Sequence, residues 1–307
     1  MPQPSAPGAE ARLALGAGLS AYVIWGLLPL VFQVLGGLGV PSWEVLAHRT
    51  IWAIPVALAF VLMAGQGRKL IALARQPRTL AWLVLSAGLI AINWVTFIWA
   101  VNDGRVLETS LGYYLNPLLN MAAGALIFRE RLDRAGYIAI ALAALGVAVQ
   151  AVALGYLPWV SLVVAVTFCG YGIVRKRVDA DAQTGLFVEC LILSAPGLAY
   201  LIWLQSSGGA VGTASPTALA WLIACGPFTA LPMMLFAWAA RRVPLSTLAF
   251  LQFVAPSMTF VIGVSQGESL SPLRAASFGL IWLGALVFAA GAWRRARRAA
   301  ALAQSLA

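Results

Sequence analysis

Long apolar runs, separated by short polar connectors, extend over nearly the whole chain. Each run has about twenty residues, is rich in Leu, Ala and Gly, and lacks the strict alternation of a membrane β-strand, so it predicts a transmembrane helix. The connectors are too short to hold a separate soluble domain. The pattern predicts an all-α integral membrane protein with ten transmembrane helices, at residues 13–35, 44–64, 79–101, 106–128, 134–154, 157–175, 185–205, 217–240, 245–266 and 274–293.

One segment of the sequence is repeated later in the chain. A tryptophan-alanine pair, a proline inside an apolar run and a glutamate at the end of that run recur 138 to 139 residues later. These landmarks are Trp99, Pro117 and Glu130 in the first copy and Trp238, Pro256 and Glu268 in the second. Because proline lacks the N–H that a helix needs, we expect Pro117 and Pro256 to break their helices. Duplicated, proline-interrupted apolar segments indicate the solute site of a secondary transporter.

The composition agrees with a membrane location. Hydrophobic residues make up 62% of the 307 residues and charged residues 10%, whereas a soluble domain carries about 25% charged residues. The mean hydropathy is +0.89. The net charge of +10 raises the question of nucleic acid, but the basic residues lie between the apolar runs rather than in one patch. We therefore expect no nucleic-acid partner.

Basic residues fall almost entirely on one side of the predicted helices. With the N-terminus in the cytoplasm, 17 of the 20 Lys and Arg residues lie on the cytoplasmic side and two, Arg105 and Arg274, on the other, while Arg49 is inside a helix. The positive-inside rule therefore predicts that both termini are cytoplasmic. The final basic run, from Arg294 to Arg298, is expected to contact anionic lipid head groups.

The number of helices in each copy sets the relation between the copies. Because five is odd, the second copy enters the membrane from the opposite side, and the two copies are predicted to be inverted five-helix repeats. The first repeat covers residues 13–154 and the second 155–293. A cytoplasmic tail at 1–12 precedes them and a basic cytoplasmic tail at 294–307 follows.

Ionisable residues cluster in the second predicted helix, where they are costly to bury and so indicate function. Glu44 and His48, four residues apart, share one helix face in the outer third of the membrane, and Arg49 follows. One interpretation is a gate for substrate or protons, because histidine titrates near neutral pH. The other is a structural ion pair in which Glu44 or Glu108 neutralises Arg49.

Polar and aromatic residues also occur together in the third and fourth predicted helices. They are Asn93, Trp94, Tyr113, Tyr114 and Asn116. The Asn116 amide, beside a proline near the midplane, can both donate and accept hydrogen bonds. Flat aromatic walls with a few polar groups suit a partly apolar solute. The alternative is that the amides link helices and the tyrosines are packing.

Three further residues are candidates for the walls of a central cavity. The repeat register places Gln252 opposite Tyr113, which predicts a symmetry-related pair around the cavity. Trp25 and Trp52 either line the same cavity or anchor their helices at the membrane interface.

Glu189 stands about one turn into the seventh predicted helix. A lone glutamate at that depth is either a proton carrier or the partner of Arg175 or Lys176 across a short loop. The second interpretation is favoured, since an unpaired carboxylate is costly in a membrane.

Other features limit the function. The chain has no P-loop, no Gly-x-Ser-x-Gly motif and one histidine, so direct use of ATP and enzymatic catalysis are disfavoured. Its three cysteines lie in apolar runs without metal-ligand spacing, so we expect no disulfide framework, metal or cofactor. Small residues spaced four apart, at Ala139 and Ala143 and at Ala275 and Gly279, allow either packing within the bundle or a homodimer face.

An ordered series of motifs resembles a known family. The series is Glu44-Val-Leu-Ala-His48-Arg49, Asn93-Trp94, Trp99-Ala-Val-Asn102, Leu111-Gly-Tyr-Tyr-Leu-Asn-Pro117, Arg129-Glu-Arg-Leu132, Leu157-Pro-Trp159, Tyr171-Gly172, Arg175-Lys176, Gly185-Leu186 with Glu189, Phe236-Ala-Trp-Ala-Ala-Arg-Arg242, Gln252 with Pro256, and Ile281-Trp282. It resembles the RarD-type permeases in the EamA-repeat branch of the drug/metabolite transporter superfamily. Phe253-Val-Ala255 departs from the tyrosine-isoleucine-alanine type of segment expected there, and the change is conservative.

The resemblance implies a ten-helix carrier of the inner (plasma) membrane that exports its solute. With the sequence pattern, it predicts a secondary active permease for a small amphipathic metabolite or drug that works by alternating access. The alternatives are an intramembrane enzyme, or a channel or non-transporting sensor, that uses the Glu44, His48 and Arg49 cluster.

Overall fold

The protein is helical throughout its described part. The computed structural model describes residues 7–127, 133–240, 242–243 and 251–305. Within these ranges the helices are α1 (Pro7–Gly37), α2 (Ser42–Met63), α3 (Gly67–Leu73), α4 (Pro77–Asn102), α5 (Val106–Ile127), α6 (Arg134–Leu154), α7 (Trp159–Arg177), α8 (Ala182–Ser206), α9 (Pro216–Ala240), α10 (Val254–Ser265) and α11 (Pro272–Ser305). Arg129, Glu130, Arg131 and Arg241, and residues 245–250 of the ninth predicted helix, lie outside the described residues.

The predicted fold class is confirmed. All helices except the short α3 correspond to predicted spans, and eight of them are long and apolar enough to cross a membrane. Of the other two, α10 has 12 described residues, and α5 has 22 residues but carries Glu108, Asn116 and Asn120. The last helix continues past the predicted end at residue 293 to Ser305. The protein is therefore a multi-pass membrane protein.

The two repeated prolines behave differently, and the prediction of a helix break is wrong for Pro117. The α5 helix continues through Pro117, as helices do when neighbouring elements compensate for the lost backbone hydrogen bond. Pro256 lies in the first turn of α10, directly after turn residues 252–253. A proline is well tolerated there because the first N–H groups of a helix have no partner within it.

Helix contacts come in matching sets. In the first half, α1 packs against α9 and α10 of the second half; in the second half, α7 packs in the same way against α4 and α5 of the first. Likewise α2 packs against α9, and α8 packs against α4. Three further pairs, α2 with α8, α5 with α10 and α6 with α11, join equivalent helices of the two copies. This pattern arises when two five-helix halves are related by a two-fold axis.

Glycine permits a close approach of α2 and α9. A methyl group added at Gly226 in α9 would lie 2.3 Å from the carbonyl oxygen of Trp52 in α2, so a side chain at this position would force the helices apart. The approach brings the next turn of α9 against Arg49, as described below.

The small-residue stripes have different surroundings. Ala139 and Ala143 of α6 are buried, and the carbonyl oxygen of Ala139 lies 3.0 Å from the position of a Cβ at Gly284 in α11. Ala275 and Gly279 of α11 are exposed. The α6 stripe therefore packs within the bundle, while the α11 stripe does not contribute to that contact.

Five loops meet at one end of the bundle, which we call the carboxylate end: 38–41, 103–105, 155–158, 207–215 and 266–271. Here Glu268 binds the start of α5, since its carboxylate accepts hydrogen bonds from the backbone N–H groups of Val106 and Leu107 (3.0 Å for Leu107). Arg274 lies 3.9 Å from the same carboxylate. A residue of one half thus supplies the N-terminal cap of a helix in the other.

We predict that Glu268→Ala lowers the stability of the purified protein by about 1–2 kcal/mol, because two N–H groups of α5 lose their acceptor. The measurement is thermal unfolding in detergent. The matched control is Glu10→Ala, whose carboxylate is 53% exposed beside Arg242 and should contribute little. Equal unfolding temperatures for the two variants would contradict the capping role.

The same residue predicts a pH effect. Burial raises the pKa of Glu268 above its ordinary value of 4.5. The N–H groups of Leu107 and Val106 and the charge of Arg274 lower this pKa, but by less than burial raises it. The folded state therefore holds this proton more tightly than the unfolded state, so the contribution to stability is greatest below pH 4.5 and declines as the pH rises through the raised pKa. We predict a smaller decline for Glu268→Gln than for the wild type in unfolding temperatures measured across that window.

Candidate functional site

Arg49 occupies the centre of a buried polar and aromatic cluster. It lies in α2, about 10 Å along the helix axis from Ser42, and only 4% of it is exposed. Its Nε donates to Thr229 Oγ1 of α9 at 2.7 Å. The guanidinium lies 4.1 Å from the ring centroid of Trp94 in α4 and 5.6 Å from that of Phe32 in α1. Four helices from both halves therefore meet around one cation.

Arg49 has no carboxylate partner among the described residues, and the expected ion pair with Glu44 or Glu108 is wrong. Glu44 accepts a hydrogen bond from the backbone N–H of Gly212, and Glu108 pairs with Arg105. Cation–π contacts and one hydroxyl therefore hold the guanidinium.

Asn93 connects three helices next to this cluster. Its Nδ2 donates to the carbonyl oxygen of Val164 at 2.8 Å and to Thr167 Oγ1 at 3.1 Å, both in α7. Its Oδ1 accepts from the Tyr113 hydroxyl of α5 at 2.9 Å. Both N–H donors of the amide are used, so the interpretation of Asn93 as a link between helices fits better than that of a solute contact.

Tyr113 and Tyr114 face different parts of the molecule. Tyr113 packs edge-on against Phe97 and Phe168 near Arg49. Tyr114 bonds Ser257 of α10 at 2.6 Å. It lines an apolar groove of about 520 Å³ between α5, α10 and α11. Of the two tyrosines, the structure therefore brings Tyr113 to the Arg49 cluster.

Glu44 and His48 are both buried but form no hydrogen bond with each other. One Glu44 oxygen accepts from Gly212 at 2.8 Å, and a Cβ at Gly212 would lie 2.7 Å from that oxygen, so the loop needs glycine there. His48 Nδ1 accepts from Trp52 Nε1 at 3.2 Å. Glu44 thus fastens the 207–215 loop over the carboxylate end.

The Glu108 carboxylate belongs to another contact at that end. Arg105 binds both of its oxygens, at 2.8 and 3.1 Å, and the Tyr156 hydroxyl donates to one of them at 3.1 Å. Arg105 also lies over the Trp99 and Trp159 rings. This cluster joins the loop before α5 to the loop before α7.

Glu189 has the partner that the sequence favoured. Its carboxylate lies 3.7 Å from Arg175 Nε and accepts hydrogen bonds from Ser86 of α4 at 2.5 Å and from Tyr171 of α7 at 3.2 Å. A Cβ at Gly185 would lie 2.2 Å from the Arg175 guanidinium, so glycine makes room for the pair.

Contacts between the halves also close the opposite end, which we call the basic end. Lys69 after α2 pairs with Asp181 before α8 at 2.8 Å. Gln66 donates to Gln183 at 3.4 Å. Both ends of the bundle are therefore held by polar contacts between the two predicted repeats.

No hydrogen bond or cation–π contact joins Arg49 to the remaining predicted residues Asn116, Gln252 and Trp25. Asn116 is buried, and its Oδ1 has no hydrogen-bond partner in the described part of the chain. Gln252 is half-buried in the turn before α10 and forms no hydrogen bond there either. Trp25 packs against Tyr22 and Phe236.

Sequence reasoning missed the hydroxyl partners of the buried charges, Thr229 and Ser86, and the glycines that accommodate them. The repeat register holds a usable signal, since Glu189 follows Arg49 by 140 residues, within one residue of the offset of the tryptophans and prolines. Equivalent sites on α2 and α8 thus carry opposite charges, each bonded to a hydroxyl of the other half. In the described ranges, no group of three His, Cys, Asp or Glu residues could hold a metal.

Comparison with known proteins identifies the family. Residues 12–151, which coincide with the first predicted repeat, match the EamA-like transporter family. An uncharacterized transporter of Pseudomonas aeruginosa is 42% identical over 94% of this chain and 97% of its own. The protein RarD of Streptomyces exfoliatus is 39% identical, over 95% and 93% of the two chains. That of Escherichia coli is 36% identical, over 94% and 98%.

A crystal structure shares the fold, with a TM-score of 0.60 at 23% identity over 89% of this chain and 96% of the other. The full-length relatives carry the argument further, because their identity exceeds one third along nearly the whole chain. The chain belongs to the EamA-like transporter family and is a permease of the RarD type.

Proposed function

We propose that the protein is a secondary active permease that exports a small amphipathic solute by alternating access between two inverted five-helix repeats. The central observation is the Arg49 cluster, where a buried cation and two aromatic rings of the first half meet a hydroxyl of the second half. A secondary transporter binds its solute at the interface between its repeats, and this cluster joins side chains of both predicted repeats.

The contacts at the two ends of the bundle supply the gates. Glu44 with Gly212 and Glu268 with α5 close the carboxylate end, and Lys69 with Asp181 closes the basic end. Each contact joins residues on opposite sides of the repeat boundary near residue 155. Opening one end while the other stays closed would expose the cluster to one side of the membrane at a time.

The direction of the molecule follows from charge. The basic end carries most of the Lys and Arg residues, so the positive-inside rule places it, with both termini, in the cytoplasm. The carboxylate end then faces outward across the plasma membrane, and the gate formed by Glu44 and Glu268 controls release.

We predict that locking the outer gate stops export. The side-chain amides of Gln33 and Gln266 form two reciprocal hydrogen bonds of 2.7 Å at the carboxylate end, so cysteines at both positions should react with one short bifunctional methanethiosulfonate reagent. Cross-linking of Gln33→Cys/Gln266→Cys should abolish the release of those metabolites that cells expressing the wild type accumulate in their medium. A reducing agent should restore it.

Each single-cysteine variant, treated with the same reagent, is the control and should keep its export. Continued export by the cross-linked double variant would contradict alternating access. A channel is distinguished in proteoliposomes, where a carrier shows saturation and trans-stimulation and a channel shows neither.

A further inference from the structure

Arg49 is a buried cation that no described carboxylate neutralises. Nine of the ten acidic residues lie in the described ranges, and none of them forms an ion pair with it. The tenth, Glu130, falls in the connector between α5 and α6 in the sequence. A charge that is kept inside a membrane span at such a cost indicates a binding partner that comes and goes.

The geometry leaves one edge of the guanidinium for that partner. Nε is engaged by Thr229, and the flat faces lie against Trp94 and Phe32. Nη1 and Nη2 donate no hydrogen bond to any described residue, so the terminal edge of the fork retains its donors. We infer that this edge binds the carboxylate of an amphipathic monoanion, whose apolar body lies against the neighbouring aromatic rings.

The chemistry favours a carboxylate for two reasons. The planar guanidinium fork matches the two oxygens of a carboxylate in a bidentate pair, which is stronger than a bond to a neutral acceptor. The surroundings are apolar and aromatic, including Phe97, Tyr113 and Phe168, so an apolar group on the solute gains contact area. The inference rests on the proposed permease function and adds the class of solute.

The equivalent position in the other half provides a comparison. Glu189 has Ser86, Tyr171 and Arg175 around its carboxylate, so its charge is compensated within the protein. Arg49 has one hydroxyl and two rings. A purely structural arginine would be expected to have a carboxylate, as Arg105 has in Glu108.

The test uses detergent-purified protein and two matched probe series at neutral pH. The first is indole-3-acetate, indole-3-acetamide and tryptamine, and the second is hexanoate, hexanamide and hexylamine. We expect the carboxylates, and not the neutral or cationic members, to raise the thermal unfolding temperature of the wild type. Arg49→Gln should lose this response, and Arg49→Lys should keep part of it because the charge remains.

The ligand-free variants give a second readout. Because an unpaired buried charge destabilises the substrate-free protein, Arg49→Gln should unfold about 2–4 °C higher than the wild type. Glu189→Gln, which leaves Arg175 without its carboxylate, should instead unfold lower. Arg294→Gln removes one exposed basic residue from α11 and should keep both the unfolding temperature and the carboxylate response.

Three results would overturn the inference: no carboxylate response in the wild type, an equal response to the neutral or cationic probes, or a carboxylate response that survives in Arg49→Gln. Counterflow in proteoliposomes distinguishes failure of the carboxylate-site inference from failure of the permease proposal. Carboxylate binding without counterflow of any probe would remove the transport function and leave the anion site. Counterflow of neutral probes at wild-type rates in Arg49→Gln, with no carboxylate preference, would leave the transporter and remove the site.

Discussion

The lipid bilayer deprives every buried polar group of water, and the arrangement of helices follows from this constraint. Backbone groups find their partners within helices, which explains the all-helical structure of the described residues. Several buried polar side chains find theirs in neighbouring helices, as Asn93 does in α7 and α5. Such contacts are the points at which the helices are fixed relative to one another. Arg49 departs from the rule, because its charge has no opposite charge among the described residues.

The two-fold relation between the halves allows the unpaired charge of Arg49 to be compared with a charge in the other half. Arg49 and Glu189 occupy equivalent sites on α2 and α8, and each bonds a hydroxyl in the other half. The two predicted repeats therefore carry buried charges of opposite sign at positions that agree to within one or two residues of the repeat register. In the second half Arg175 compensates the carboxylate. In the first half, a bound solute can supply the compensating charge, so that solute binding would stabilise the folded helix bundle.

The sequence predicted the helices well because a span of about twenty apolar residues has few other solutions in a membrane. It also paired Glu189 with Arg175, since the loop between them is short. It misjudged Pro117, because a helix interior tolerates proline when its surroundings compensate, and local sequence does not reveal the surroundings. It paired Arg49 wrongly for a similar reason: Glu44 is near in sequence, but one of its oxygens accepts from Gly212, 168 residues away, and the other bonds no described residue. Side-chain partners across helices depend on packing that hydropathy does not encode.

The contacts between the halves are few and individually modest, which suits the proposed opening of the bundle at either end. A hydrogen bond to a carboxylate, such as that from Gly212 to Glu44, contributes about 1.5–3 kcal/mol net, and an exposed pair such as Lys69 with Asp181 contributes less. The free-energy difference between states open at opposite ends can therefore be small. A solute shifts such an equilibrium only through a difference in its affinity for the two states. In the proposed transport cycle Arg49 would create that difference, because a carboxylate on its free edge would change the charge at the point where its Nε bonds Thr229 of the other half.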